Sequence, residues 1–273
     1  MTEELTTHRQ SGLLMYARCP AQYKRRFVDG QIRPPFARML RGTGVHAGAH
    51  FNFRQKVDSH EDLKAKDIID YSIAVYDNKY SEEGIILAPK EKTIGKNKVL
   101  GQERDRCWRL SELQAEKFAP TVQPIAVEKS IEADFPEHGF KVRGTLDLKD
   151  DKNIITDVKA GTKKRTVRDV HKDFQLSMYY ALDMIFTGTS ADGVRLAVLV
   201  DKKSPEVQLL ESFRTDEDFV AWFKTVVEFD KAIKAGVFPP CNKAEWWCSP
   251  DWCGYWVDCE FWSDSERARF LAE

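Results

Sequence analysis

Residues 141–161 read KVRGTLDLKDDKNIITDVKAG, and the reading of this stretch decides the fold. Two runs of alternating apolar residues, 140–149 and 153–159, flank the polar Asp150-Asp151-Lys152-Asn153. Apolar residues at period two, interrupted by a polar turn, predict a β-hairpin. The first strand carries Asp147, and the second carries Asp157 and Lys159. Residues two apart in a strand share a face, so Asp157 and Lys159 point the same way while Val158 turns into the core. Strand pairing can then set Asp147 beside them. Two carboxylates and an ammonium converge at one sheet edge.

Adjacent carboxylates repel unless a proton or cation intervenes. Their hard oxygens suit Mg²⁺ or Mn²⁺. A neighbouring lysine can orient or help deprotonate a water, or steady charge building on a phosphoryl group. On its own, a D-x-K triplet is more often surface charge on a solvated hairpin. Its context changes that reading. Gly144-Thr145-Leu146-Asp147, then Asp157-Val158-Lys159, then Gln175-Leu176-Ser177-Met178-Tyr179 follow in order.

These three motifs resemble the PD-(D/E)XK nuclease superfamily, and more narrowly its RecB/Cas4-like branch, with its G-x-x-D, D-x-K and Q-x-x-x-Y. The resemblance implies an α/β fold of the restriction-endonuclease kind, a mixed central sheet flanked by helices. It implies a metal-dependent deoxyribonuclease whose cation is held by Asp147, Asp157 and the Val158 carbonyl, with Lys159 positioning or activating the attacking water. Gln175 and Tyr179, four apart on one helical face, would line the active site. Upstream, Gly42-Thr43-Gly44-Val45-His46 resembles the segment of that branch whose histidine is a further ligand, here His46. His50, one turn on, faces the same side, either in support of the ligands or without a role. Glu128 matches the acidic residue that often precedes the hairpin, with a metal, supporting or structural part to play.

The carboxy-terminal segment PPCNKAEWWCSPDWCGYWVDCEFW carries a second signal. Cys248, Cys253 and Cys259 resemble the cysteine triplet of Cas4- and AddB-type nucleases, and Cys19, followed by Pro20, matches their distant fourth ligand to a [4Fe–4S] cluster. The first spacing is C-x4-C where those relatives have C-x2-C, and Cys241 lies close by. A local Zn²⁺ site of Cys241, Cys248, Cys253 and Cys259 is therefore the alternative. Either would join the two chain ends, with Trp246, Trp247, Trp252, Trp256 and Trp262 as an apolar shell. Cys107, alone in a helical segment, reads as a buried thiol.

The chain has 273 residues, is 42% hydrophobic and 31% charged, and has a formal net charge of −1. That is ordinary for a globular protein and excludes coating nucleic acid by bulk charge, so phosphate binding must be local. The densest basic cluster, Lys163, Lys164, Arg165, Arg168 and Lys172, follows Lys159 directly and would neutralise a DNA backbone. From the polar amino terminus no signal peptide is expected, and no apolar run approaches the about 18 residues that span a bilayer. A cytoplasmic protein without a membrane partner is expected.

The whole of 1–273 reads as one nuclease domain: a helical part over 1–120, the catalytic core over 121–235 and the cysteine-rich segment over 236–273. Helices are expected at 11–29 around the Cys-Pro step, at 60–80 and at 98–118, with a loose lysine-bearing linker at 81–98. Residues 41–57 read as a glycine-rich turn leading into a helix. Strands follow at 121–135, 193–202 and 206–213. A single helix is expected from Thr166 to about 186, opened by a Thr166/Asp169 capping box, and another at 215–235 capped by Thr215 and Asp218. By resemblance, the activity is exonuclease processing of DNA ends with two-metal chemistry, in recombination, repair or CRISPR-like adaptation alongside a protein partner. Stand-alone relatives of this size are often phage-encoded. The alternatives are a structure-specific endonuclease, or a non-catalytic module that binds DNA ends or partners.

Overall fold

The computed structural model describes residues 5–272, so the acidic Met1–Glu4 lies outside the described residues. Strand β1 (Thr6–Arg9) runs into α1 (Gln10–Arg18), which stops at Cys19 before α2 (Pro20–Tyr23). The helical part continues with α3 (Ala37–Ser59), α4 (Ala65–Glu83), α5 (Pro89–Ile94) and α6 (Lys96–Leu113). Then come β2 (Pro124–Phe135), β3 (Phe140–Asp150), β4 (Ile154–Gly161), α7 (Val167–His171) and α8 (Phe174–Thr187). The chain closes with β5 (Gly193–Val200), β6 (Glu206–Ser212), α9 (Asp216–Lys234) and α10 (Asp264–Ala272). None of the described helices is long and apolar enough to cross a membrane.

The mixed sheet runs β1-β3-β4-β5-β6, with β2 paired to β3. Strand β2 follows β3 antiparallel along nearly its whole length. On the opposite edge β3 has two successive partners: β1, parallel, against Phe140–Arg143, and β4, antiparallel, only at Leu148 and Lys149. Between them, from Gly144 to Asp147, that edge has no strand partner among the described residues. The hairpin thus closes at its turn and then splays, because β4 leaves β3 to pair in parallel with β5 over all eight of its residues. The splay is what opens the site.

Helices cover both faces of the sheet. On one, Leu146, Ile155, Val194, Leu196 and Val198 pack against Leu176, Tyr180, Trp222 and Val226 of α8 and α9. On the other, Leu148, Val158, Ala197 and Leu199 meet Val45, Ala49 and Phe53 of α3, with α4 and α6 behind. This is a three-layer α/β arrangement.

Several local expectations change. The glycine-rich stretch is interior to α3, not a turn. Gly44 and Gly48 serve close approach: a Cβ on Gly44 would lie 2.7 Å from Cys107 Sγ, and one on Gly48 would lie 1.9 Å from Ser72 Oγ. The lysine-bearing linker is largely helical, with Lys90 and Lys92 on α5 and Lys96 and Lys98 on α6. The helix expected from Thr166 is two, because the Asp173 carboxylate accepts from Leu176 N at 3.0 Å and starts α8 afresh. The Thr215–Asp218 box caps α9 as the sequence indicates. Strand β1 and helix α10 carry no signal in the sequence reading; β1 is only four residues long.

Candidate active site

Four elements meet at the splay. His46 comes from α3, Asp147 from β3, Asp157 and Lys159 from β4, and Gln175 and Tyr179 from α8. Lys159 Nζ donates to Gln175 Oε1 at 2.9 Å, and Gln175 Nε2 donates to the Tyr179 hydroxyl at 2.8 Å. Tyr179 in turn donates to Asp147 Oδ1 at 3.3 Å. Asp147 Oδ2 accepts from Val158 N at 3.4 Å and lies 3.7 Å from His46 Nδ1. A chain of hydrogen bonds therefore links the lysine to the first aspartate through the two α8 residues.

Asp157 is placed differently. It is 1% exposed, and its Oδ2 lies 2.7 Å from Lys159 Nζ. That contact is not aligned as a hydrogen bond, and both Asp157 oxygens are buried without a hydrogen-bond partner. The geometry, rather than the short distance alone, decides how well the carboxylate is satisfied. Burial, opposed by Lys159 and reinforced by Asp147, pushes Asp157 up to about 7. Burial also raises Asp147, against the pull of Lys159. Burial lowers Lys159, but Asp157 and Asp147 more than offset it, and its net shift is upward. The lysine thus holds its proton at neutral pH. Burial pulls His46 down to about 4, leaving a neutral imidazole.

A buried carboxylate that meets one ammonium but makes no aligned hydrogen bond, beside a neutral imidazole, fits a bound cation. Ligand atoms of His46, His50 and Asp147 all lie within 4.8 Å of one another. Glu128 sits across from Asp147, between the register pairs Val127–Leu148 and Lys129–Leu146. Its φ of 46° is left-handed, a conformation that disfavours residues with a Cβ. Its carboxylate meets His50 Nδ1 at 2.8 Å and accepts from Arg54.

A family model for the PD-(D/E)XK nuclease superfamily matches residues 10–260. The chain belongs to this superfamily. No curated protein matches it. Among solved structures it is similar to a protein from Eubacterium rectale described as "Putative exonuclease", with 15% identity, coverage of 90% of this chain and 88% of that one, and a TM-score of 0.51. At that identity the likeness speaks for the fold. A second structure, SSO0001, has 14% identity and a TM-score of 0.42 over 93% of this chain and 86% of that one, and carries no argument.

The basic residues of this nuclease that follow Lys159 are all exposed, in the loop after β4, along α7 and just beyond it. Lys164 pairs with Glu206 at 2.5 Å, and Lys202 holds the other oxygen of that carboxylate. Lys163, Arg165, Arg168 and Lys172 form no ion pair among the described residues, so their charge is free for a partner.

The cysteines form a second constellation, on the far ends of the chain. Cys19, Cys241, Cys248, Cys253 and Cys259 line one cavity, with Trp247 among the aromatic residues that wall it. All are free thiols. Burial, with the neighbouring Cys19 and Cys248, pushes Cys241 up to about 12. Among the described residues, no three of these sulfurs come within 4.8 Å of one another. The tryptophan shell is partial: Trp246 and Trp252 are exposed, and the Arg38 guanidinium lies 3.9 Å from the Trp252 ring centre. Cys107 is fully buried in α6, as its helical setting predicts.

Gln10 is the site neighbour that the motifs do not announce. One pattern could have directed attention to Arg54: His46, His50 and Arg54 recur every four residues, one face of one helix.

Proposed function

We propose that this nuclease is a Mg²⁺- or Mn²⁺-dependent deoxyribonuclease of the RecB/Cas4-like kind that degrades DNA from its ends. The observation that carries it is Asp157: a buried carboxylate with both oxygens free of hydrogen bonds, facing Asp147 and a charged Lys159. His46, Asp147, Asp157 and the Val158 carbonyl would hold the cation. Such a cation polarises a phosphoryl oxygen and lowers the pKa of a bound water.

The protein's own groups have separable tasks. Lys159 keeps its proton and offers N–H bonds to a water or to a non-bridging phosphate oxygen where negative charge develops. Gln175 fixes the ammonium from one side, and Tyr179 fixes Asp147, so neither needs to reorient during reaction. Lys163, Arg165, Arg168 and Lys172 would receive the DNA backbone beside the scissile bond.

We assign the cysteine cavity to a [4Fe–4S] cluster held by Cys19, Cys248, Cys253 and Cys259. What supports this over a site of the four carboxy-terminal cysteines alone is that Cys19, from the other end of the chain, lines the same cavity. Cys241 also lies there, against Cys19 and Cys248. The cluster is a tie between chain ends, away from the chemistry.

The test is degradation of end-labelled linear DNA, single- and double-stranded, in Mn²⁺, Mg²⁺ or EDTA, with Lys159→Ala alongside. Metal-dependent label loss that vanishes in the variant supports the reading. Cleavage of closed circular DNA would move it to an endonuclease. Wild type that binds DNA but cuts neither substrate would make it a binding module.

A further inference from the structure

We propose that His50 is a direct nitrogen ligand of the active-site cation, which is then held by two imidazoles, His46 and His50, together with Asp147. The proposal rests on the metal-dependent reading of this site and changes its ligand set and its metal preference.

His50 is 7% exposed on α3, one turn after His46, and the two rings meet edge to face with centroids 5.8 Å apart. Its Nδ1 lies 2.8 Å from Glu128 Oε1. Its Nε2 is buried and has no hydrogen-bond partner among the described residues. A histidine that merely packs in a core satisfies both ring nitrogens, because a buried polar atom left unpaired costs about 1–3 kcal/mol. The Glu128 contact is not aligned as a hydrogen bond, but a carboxylate beside Nδ1 favours the tautomer with its proton there. That leaves the Nε2 lone pair free, which is how metal-bound histidines are commonly set. The ligand atoms of His46, His50 and Asp147 fall within 4.8 Å of one another, close enough to share one ion.

Glu128 then acts as an orienting group. Both of its oxygens are engaged, one with His50 and the other with Arg54. Its left-handed backbone lies directly across the strand pair from Asp147. Strain of this kind persists where surrounding structure over-determines it, often at functional sites. The distortion turns the Glu128 carboxylate toward α3, where it meets His50.

The ligand set has a chemical consequence. Mg²⁺ prefers oxygen donors and gives up water reluctantly, whereas imidazole suits first-row transition ions such as Fe²⁺, Ni²⁺ and Zn²⁺, with Mn²⁺ the weakest binder of that series. Two imidazoles in one site favour Mn²⁺ over Mg²⁺ more strongly than one does.

The experiment is Mn²⁺ binding to the DNA-free full-length protein, read by the loss of the free-ion EPR signal and by nitrogen couplings in pulsed EPR. Wild type should show two imidazole nitrogens and His50→Gln one, with Mn²⁺ affinity at least about 10-fold weaker and Mg²⁺ affinity nearly unchanged. Glu128→Gln retains the ring and should keep both couplings, with affinity down by about 10-fold. Thermal melts show whether each variant is folded. One nitrogen in wild type, or two in a folded His50→Gln, overturns the proposal and leaves the nuclease reading standing. No Mn²⁺ binding by wild type overturns both.

Discussion

Gln10 and Thr145 are joined by a 3.0 Å hydrogen bond from the Thr145 backbone N–H to the Gln10 side-chain oxygen. Strand β1 pairs with β3 only as far as Arg143, and the Gln10 side chain supplies an acceptor where strand pairing ends. The bond lies two residues before Asp147. It extends the hold of β1 on β3 one step into the gap, while β2 keeps β3 aligned along its other edge.

Gly144 shares that gap. A Cβ there would lie 2.7 Å from Leu182 Cδ1 and 3.0 Å from Gln10 Oε1. Gly144→Ala should destabilise by about 1–3 kcal/mol, as overpacking does, and depress activity by shifting Asp147. Urea unfolding alongside the DNA assay checks this; an unchanged midpoint would show that the contact is relieved freely.

Gly48→Ala should act at a distance. The new Cβ would clash with Ser72 Oγ at 1.9 Å and push α3, with His46, away from α4. Adding Ser72→Ala removes the nearest atom, and the double variant should recover part of the lost stability, giving a coupling of about 0.5–3 kcal/mol in a mutant cycle. Strict additivity would contradict the contact.

Asp157→Asn should stabilise the metal-free protein at high pH while abolishing cleavage. The folded-state pKa of Asp157 is raised to about 7 by burial, against Lys159. Its contribution to stability is therefore fully present below the unfolded value of about 4 and is lost as pH rises through about 7. His46 and His50, both lowered to about 4 by burial, act oppositely: their contribution is present above the unfolded value of about 6.5 and is lost as pH falls through about 4. The difference between wild type and variant isolates the aspartate. In EDTA at pH 8 the variant should be more stable by on the order of 1–4 kcal/mol, with no gain at pH 4. Equal melting at both pH values would mean that Asp157 ionises at no cost. Mn²⁺ should raise the melting temperature of wild type more than that of the variant.

Lys159→Ala should lower kcat by about 10²–10³-fold, the usual loss for one transition-state donor, with DNA binding little changed. Filter binding and single-turnover cleavage separate the two.

Cys19→Ala should abolish the visible absorption and iron content of anaerobically purified protein, while Cys241→Ala retains both. The reverse pattern, with zinc found by elemental analysis, would favour the local four-cysteine site.

The hairpin, its Asp147/Asp157/Lys159 set, the Gln175–Tyr179 face and the convergence of distant cysteines were legible in the sequence. The hairpin and the helical face depend on period and local spacing, which backbone geometry determines within a few residues, whereas the convergence of Cys19 with the carboxy-terminal cysteines was implied only by the family resemblance. What the tertiary structure decided was how the elements part and approach. Strand β4 leaves β3 after two register pairs because β5 offers it a full parallel partner, and no local pattern encodes that choice. The glycines of α3 look like turn residues until Ser72 and Cys107 press against them. Glu128 becomes left-handed, and finds His50, only once β2 is paired with β3 and α3 lies over the sheet. Contacts between residues far apart in the chain are made by packing, and packing is a property of the folded whole.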